Sequence, residues 1–594
     1  MNFYFGINIQ KLTKAQFSDI ANTVNTFRGR LESGDKDLVT GFSKDLSIVA
    51  CLLQLKETYP TAHFGFSQHA VLAKGLSRIA EQGEILISED IEKIILEDFQ
   101  VTTLGMLTIE GMANEILVSR LERPLIEMKP PELTSSSPHI SRKGQVESLE
   151  HHLSVSKALL VVCPTGGGKT VFFDELLDHW QDTKTVYRTT CPSYIRGITL
   201  QPINELVVQM LEITSTQTAE EKQKAIEKKL KEIGIVDIGT SYLTMLDFLA
   251  LSDEESILEK VELKTRVQVL TDTVAEIIKR ISWNRPVALI IEDAENMDAS
   301  SNTFMQHLMV KLAEEDVCFI FSSYLSQINI SGLHEFELKE IAKKELAALI
   351  EESIGESIAL PPTTPFHVAQ YIALYNEERI AYLYKQYEGE TSIAGFALPY
   401  HDVKTIIKRR LERLDEKKEF ISNLSVAGIK IHPDEFPLEE KSIDLFEHFV
   451  RLGYLNKQLD YYIFVNPILH DELYDLASNT KNLHIRLADY YSRLAGHEEY
   501  AAFHYREGKN FKKAIEFMKM SARQAVRKGG YESGIEYYNQ ALELCQRQRD
   551  AADLEIVVAL NEGLADVYRS LGDEERALKY YKVVLDSYKE ILKE

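Results

Sequence analysis

Apolar and polar positions along the chain fall into blocks of different period. Residues 1–122 mix strand-like runs, the first over residues 1–9, with amphipathic helical stretches. Pro/Ser-rich composition over 123–139 cannot bury a core and predicts a linker. From 140 to 345, continuous apolar runs at Ala158–Val162, 287–291 and 317–321 alternate with helical stretches. That alternation predicts a parallel sheet with crossover helices. From 346 to 495 the period is almost wholly helical, with one strand-like stretch at 461–465. The rest, 496–594, is helical throughout. The fold class expected is therefore multidomain, α/β and α.

Composition narrows the class. A chain of 594 residues is too long for a single core. It is 44% apolar and 27% charged, as for a soluble globular protein, and no apolar run approaches the ~20 residues that span a bilayer. Residues 1–9 lack a basic leader, so a strand is expected there and no signal peptide. Five scattered cysteines without metal-ligand spacing fit a reducing, cytoplasmic setting. A net charge of −24 argues against nucleic acid as a partner. The most basic local patch, Lys404, Lys408, Arg409, Arg410 and Arg413, reads as a solvated helix face.

The run Cys163-Pro164-Thr165-Gly166-Gly167-Gly168-Lys169-Thr170 follows an apolar strand and precedes an amphipathic helix. This is the context of a phosphate-binding loop. Gly166, Gly167 and Gly168 let backbone N–H groups point inward at phosphate oxygens, and the helix N-terminus adds partial positive charge. Lys169 is expected to reach the β- and γ-phosphates of ATP, and the Thr170 hydroxyl to bind Mg²⁺. Cys163 stands where the pattern begins with glycine. The strand at 287–291 ends in Glu292-Asp293 and should lie beside the loop. Glu292 is expected to orient Mg²⁺ and Asp293 to polarise the attacking water, with slow hydrolysis. Ser322-Ser323, at the end of 317–321, reads equally as a γ-phosphate sensor or a plain strand end.

In the tail, Gly529-Gly530-Tyr531, Gly534, Tyr537, Tyr538, Ala541 and Leu542 find an echo in Ala565, Tyr568, Leu571-Gly572, Ala577, Tyr580 and Tyr581. Small residues let paired helices approach and aromatics fill the gaps. The pattern resembles tetratricopeptide repeats, which stack into a surface that binds protein.

Acids at Glu292, Asp293 and Asp298 resemble the Walker B region of the signal-transducing ATPases with numerous domains (STAND), where the third acid opens a helix. Arg142 resembles the arginine of the motif that precedes the phosphate loop. Thr364-Pro365-Phe366 resembles the motif whose proline packs on adenine, which implies Pro365 as a nucleotide contact. Leu398-Pro399, then Ile406-Ile407 through Leu414, resembles the lead into a winged helix. Phe464-Val465-Asn466, Leu473-Tyr474 and Leu483-His484 resemble that winged helix itself. Asn466 stands where the family usually has histidine, and Leu325 where related strands often carry arginine.

The first block is similar to class III nucleotide cyclases, through Leu72-Ala73, Leu76, Ile79-Ala80 and Gly83 to Ser88. A further likeness runs from Asp37-Leu38-Val39 to Phe42 and the helix at 48–55. In that resemblance Gly6 occupies the first metal-aspartate position, Asp35 or Asp37 the second, Val71 the transition-state asparagine and Gly75 the arginine. The segment from Tyr59 to Ala70 is too short for the usual strands and arm. The resemblance thus implies a cyclase-like domain without cyclase activity. Together these readings suggest a cyclase-like domain (1–122), a linker (123–139), a P-loop NTPase domain (140–345), a helical and winged-helix region (346–495) and repeats (496–594). The function expected is an ATP-binding signalling switch or scaffold, with a protein partner on the repeats and pairing of copies through the first domain. Two alternatives stay open: a cyclase, alone or completed by a partner, regulated by the NTPase module, and a passive scaffold with structural nucleotide.

Overall fold

The computed structural model describes residues 2–591 apart from 36, 45, 97–98, 125–140, 192–197, 215–216, 252–262, 356, 359, 361–362, 388–397, 399–401, 434–442, 459–460, 495 and 549–553. The expected linker lies outside the described residues except for Arg123 and Pro124, and so does Pro399.

The first sheet is built from β1 (Phe3–Asn8), β2 (Gly29–Asp35), β3 (Leu38–Ser43), β4 (His63–Ser67), β5 (Ile85–Ser88), β6 (Phe99–Leu107) and β7 (Ile116–Pro124). Their order is β2-β3-β1-β4-β5-β7-β6, antiparallel except between β4 and β5. Alternation along β1 sends Phe3, Phe5 and Ile7 into one core, which the helices Lys14–Thr26 and Ile48–Thr58 cover with Phe17, Ile20, Val24, Val49 and Leu52. The opposite face meets the helix Ala70–Ile79 at very close range. A Cβ on Gly6 would stand 2.7 Å from Ser77 Oγ, and one on Gly65 2.2 Å from the Ala73 carbonyl oxygen. The segment from Tyr59 to Ala70 accommodates one strand, β4.

The second sheet, of β8 (Ala158–Val162), β9 (Thr185–Thr190), β10 (Val287–Glu292), β11 (Val317–Ser323) and β12 (His334–Glu337), is wholly parallel in the order β12-β8-β11-β10-β9. The three strands legible as apolar runs lie inside it. Val287, Leu289 and Ile291 pack into one core, and Ala288 and Ile290 into another on the opposite face. Burial on both faces is why these strands read as unbroken apolar sequence. The edge strands β9 and β12 are half polar and do not stand out in the sequence.

Beyond residue 345 the expected single strand is one of three. β13 (Lys430–Ile431), β14 (Leu455–Gln458) and β15 (Tyr461–Phe464) form a small antiparallel sheet in the order β13-β15-β14. The two extra strands are short and polar, so periodicity cannot find them. The basic patch also differs from its expected reading. Arg410 is 1% exposed and bonds Glu377 (2.8 Å), Gln370 (2.5 Å) and the Leu452 carbonyl (2.6 Å), with its guanidinium over the Tyr454 ring. Arg413 pairs with Glu378, and Lys404 with Glu472. Only part of the patch is a solvated face.

The chain closes with helices Phe511–Arg527, Tyr531–Arg547, Leu554–Ser570 and Glu574–Ile591, which pack through Ala522, Tyr538, Ala541, Leu564, Tyr568 and Ala577. The architecture is thus mixed α/β with a parallel sheet and a helical C-terminal region. All five cysteines are buried and free. Among the described residues no helix is long and apolar enough to cross a membrane.

Candidate nucleotide-binding site

The loop between β8 and the helix Lys169–Trp180 lies at the C-terminal edge of the parallel sheet, where open α/β sheets bind ligands. Phe172, Phe173, Leu176 and Trp180 anchor the helix against the sheet, so its first residues are held at that edge. Gly166 and Gly168 have φ of +77° and +92°, in the left-handed region that glycine enters without penalty. At Gly167 a Cβ would fall 2.6 Å from Cys163 Sγ and 2.8 Å from the Pro164 carbonyl. The thiol therefore occupies the inner side of the loop, where the usual pattern has glycine.

Lys169 is the first residue of the helix and pairs with Asp293 Oδ1, at the end of β10. Burial works to lower the Lys169 ammonium, and neighbouring Asp293 outweighs it, so the net direction is upward. Asp293 has φ +53°. Its backbone N–H lies 3.4 Å from Ser322 Oγ, on the neighbouring strand. Thr170 follows Lys169 and is exposed.

Glu292 faces the other way. Its Oε1 accepts from Arg188 Nε at 2.5 Å, and Arg188 Nη1 donates to Asp174 at 2.7 Å. Parallel pairing of Ile290 with Arg188 places this arginine one strand from Glu292. Burial pushes the Glu292 carboxyl up, against the pull of Arg188. Arg188 and Asp174 were not singled out by sequence reasoning. An arginine within a polar edge strand carries no motif, and only sheet register brings it to the site.

Two more elements close on the loop. Arg142 is 2% exposed, donates to the Gly167 carbonyl and to that of Lys339, and its own N–H reaches Glu175 at 2.6 Å. Its guanidinium thus fixes the loop backbone from behind. From the far side, Phe366 N donates to the Gly166 carbonyl at 3.2 Å, and Pro365 Cγ would stand 3.8 Å from a Cβ on Gly168. Gly166 to Thr170, Glu292, Asp293 and Pro365 are therefore brought to one edge. Two expected positions lie elsewhere in role: Asn466 caps the helix Pro467–Leu476 through Ile468 N at 2.8 Å, and Leu325 is exposed.

The Lys169 ammonium and the Thr170 hydroxyl lie at a helix N-terminus beside Asp293, whereas the Gly167 N–H, expected to point at phosphate, donates to the Pro164 carbonyl at 2.9 Å within the loop. Among the described residues no group of three or more His, Cys, Asp or Glu could hold a metal ion.

Comparison with known proteins agrees in outline. Residues 139–320 match the model of the AAA ATPase domain, and residues 521–590 that of the tetratricopeptide repeat. No curated protein matches the chain. Among solved structures, one similar chain is a STAND protein with a tetratricopeptide repeat sensor from Pyrococcus horikoshii. It is 13% identical, with 77% of this chain and 66% of that chain covered and a TM-score of 0.38. Another is the adenylyl cyclase CyaB from P. aeruginosa, 13% identical over 22% of this chain and 96% of that chain, TM-score 0.19. The guanylate cyclase domain of RhGC from Catenaria anguillulae is 11% identical over 21% of this chain and 96% of that chain, TM-score 0.19. The chain carries an AAA ATPase domain followed by tetratricopeptide repeats.

Proposed function

We propose that this chain is an ATP-binding switch of the STAND type, in which nucleotide state governs protein–protein contacts made by the repeats. The observation that carries the reading is the Lys169–Asp293 pair at the mouth of the glycine loop. A lysine that turns to phosphate oxygens gives up this carboxylate, so nucleotide and the ion pair compete for one ammonium. Mg²⁺ would rest on the Thr170 hydroxyl and, through water, on Glu292, with phosphate oxygens completing its shell. Asp293, released from Lys169, would polarise the attacking water, and its short side chain favours slow turnover. Pro365 would face the base.

The cyclase alternative finds less support. At Gly6, the expected metal-aspartate position, a Cβ would meet Ser77 Oγ at 2.7 Å and the Ala73 carbonyl at 3.0 Å. A carboxylate there has no room, and without paired carboxylates there is no metal clamp. We therefore read the first domain as a cyclase-like docking module rather than an enzyme.

Titration of the full chain with ATP and GTP in magnesium, with mass measurement alongside, tests the switch. Saturable ATP binding that Lys169→Ala weakens about 10-fold or more while the fold persists supports it. A wild-type chain that binds neither nucleotide refutes it. If Lys169→Ala instead unfolds the protein, the passive scaffold with structural nucleotide is the better reading.

A further inference from the structure

One helix, Pro365–Tyr387, touches both the phosphate loop and the first sheet. It holds 23 residues and spans about 34 Å at 1.5 Å per residue. No glycine occurs in it, and its only proline is the first residue, where the ring does no harm. It is therefore a stiff rod.

Its N-terminal end is bonded to the loop. Phe366 N donates to the Gly166 carbonyl at 3.2 Å, and a Cβ on Gly166 would sit 3.1 Å from Phe366 Cβ and 3.2 Å from Thr364 Oγ1. Its far end enters the core of the first sheet. Leu383 belongs to the buried core of the first sheet, with Ile380 and Tyr382 packed against that core, and the helix lies against β2 and the helix Lys14–Thr26. Arg379 Nη2 donates to the Leu31 carbonyl at 3.4 Å. In return, Arg30 of β2 reaches the last carbonyls of the helix Lys343–Ile354, at Glu352 (3.1 Å) and Ser353. A guanidinium at a helix C-terminus satisfies otherwise unpaired carbonyls and complements the dipole. The first sheet thus grips the two helices that precede and follow the segment at the phosphate loop.

We infer that the helix Pro365–Tyr387 couples the phosphate loop to the first domain, so that a ligand on either one alters the affinity of the other. The inference rests on the nucleotide-site reading above. Phosphate binding acts on the Gly166–Gly168 backbone, which the rod's first turn abuts. A displacement there is carried as rigid-body motion to Leu383 and Arg379, because the rod lacks a hinge. Thermodynamic linkage then requires the reverse effect: a partner that seizes β2 or the helix Lys14–Thr26 changes nucleotide affinity by the same factor. Arg379 and Leu383 are positioning residues in this scheme and touch no ligand.

The experiment uses the full chain with two readouts. Hydrogen exchange over residues 14–35 is compared with and without ATP and magnesium, and ATP affinity is measured for wild type, Arg379→Gln and Leu383→Ala. Coupling predicts a change of about 5-fold or more in exchange over 14–35 on ATP binding, and a matching shift of about 5-fold or more in the affinity of each variant. Should Leu383→Ala fail to fold, Arg379→Gln removes one half-buried hydrogen bond and reads the same linkage. Wild type and Arg379→Gln that bind ATP equally, with exchange over 14–35 unmoved, overturn the coupling and leave the nucleotide site intact. A wild-type chain that binds no ATP overturns the site itself, and the coupling with it.

Discussion

Ser533, on the helix Tyr531–Arg547 of the repeats, donates a 2.8 Å hydrogen bond to Asp298, five residues beyond Asp293, the partner of Lys169. Asp298 also caps the helix Ala299–Lys311 through Ser301 N at 3.0 Å, and accepts from Leu200 N at 3.2 Å. Ser300 Oγ accepts from Ser533 N at 3.0 Å and donates to Glu532 at 3.1 Å. Asp298 therefore holds the repeats as well as its own helix. Asp298→Ala should lose both. A lost N-cap costs about 1 kcal/mol, and the orphaned Leu200 N–H about 1–3 kcal/mol more. Thermal unfolding measures the sum, while Ser533→Ala isolates the repeat contact, with faster exchange expected in residues 531–547.

Lys169 supplies the only ammonium on the loop itself. Its loss should weaken ATP binding about 10- to 100-fold, the worth of one charge-assisted hydrogen-bonding group. Fluorescent-nucleotide titration checks this. Asp293→Ala removes the competitor for that ammonium, so it should tighten ATP binding while lowering turnover, which separates chemistry from binding.

Glu499, on the helix Glu498–Glu507, accepts from Thr199 N at 2.9 Å. Burial pushes its carboxyl up to about 7, with Lys528 opposing and Asp298 adding to the rise. Tyr537 faces the same carboxylates. A carboxyl raised from about 4.3 in the unfolded chain contributes fully below that pH, and its contribution is lost as pH rises through 7. The fold should thus lose stability between pH 5 and 8, on the order of 3 kcal/mol. Glu499→Gln keeps the acceptor and should flatten this slope in urea titrations at several pH values.

Arg410 and Glu377 form an ion pair inside the helical region. Arg410→Met leaves the carboxylate without its partner and should cost about 3 kcal/mol, the lower part of the range for a broken buried pair because Glu377 keeps some solvent access. The double variant with Glu377→Gln should recover much of the loss, as read from a double-mutant cycle in denaturant.

Gly6→Asp tests the space beneath the helix Ala70–Ile79. With Ser77 Oγ at 2.7 Å from the new Cβ, the expected cost is about 1–3 kcal/mol or more, as for overpacking. Cyclic-nucleotide synthesis should stay absent.

The glycine loop and the inner strands β8, β10 and β11 were legible in the sequence for physical reasons. Strands buried on both faces must be continuously apolar, and a loop that turns through left-handed backbone at Gly166 and Gly168 draws on glycine. Helical pairing around residues 530 and 572 was legible too, because small residues recur wherever helices touch. Arg188 beside Glu292, Arg410 in the core, Ser533 on Asp298 and the rod from Gly166 to Leu383 were not. Each joins residues far apart in the chain, and each depends on sheet register or on how whole helices cross. Local composition carries no trace of such pairings, because their energy arises only when a distant partner removes water from the same group.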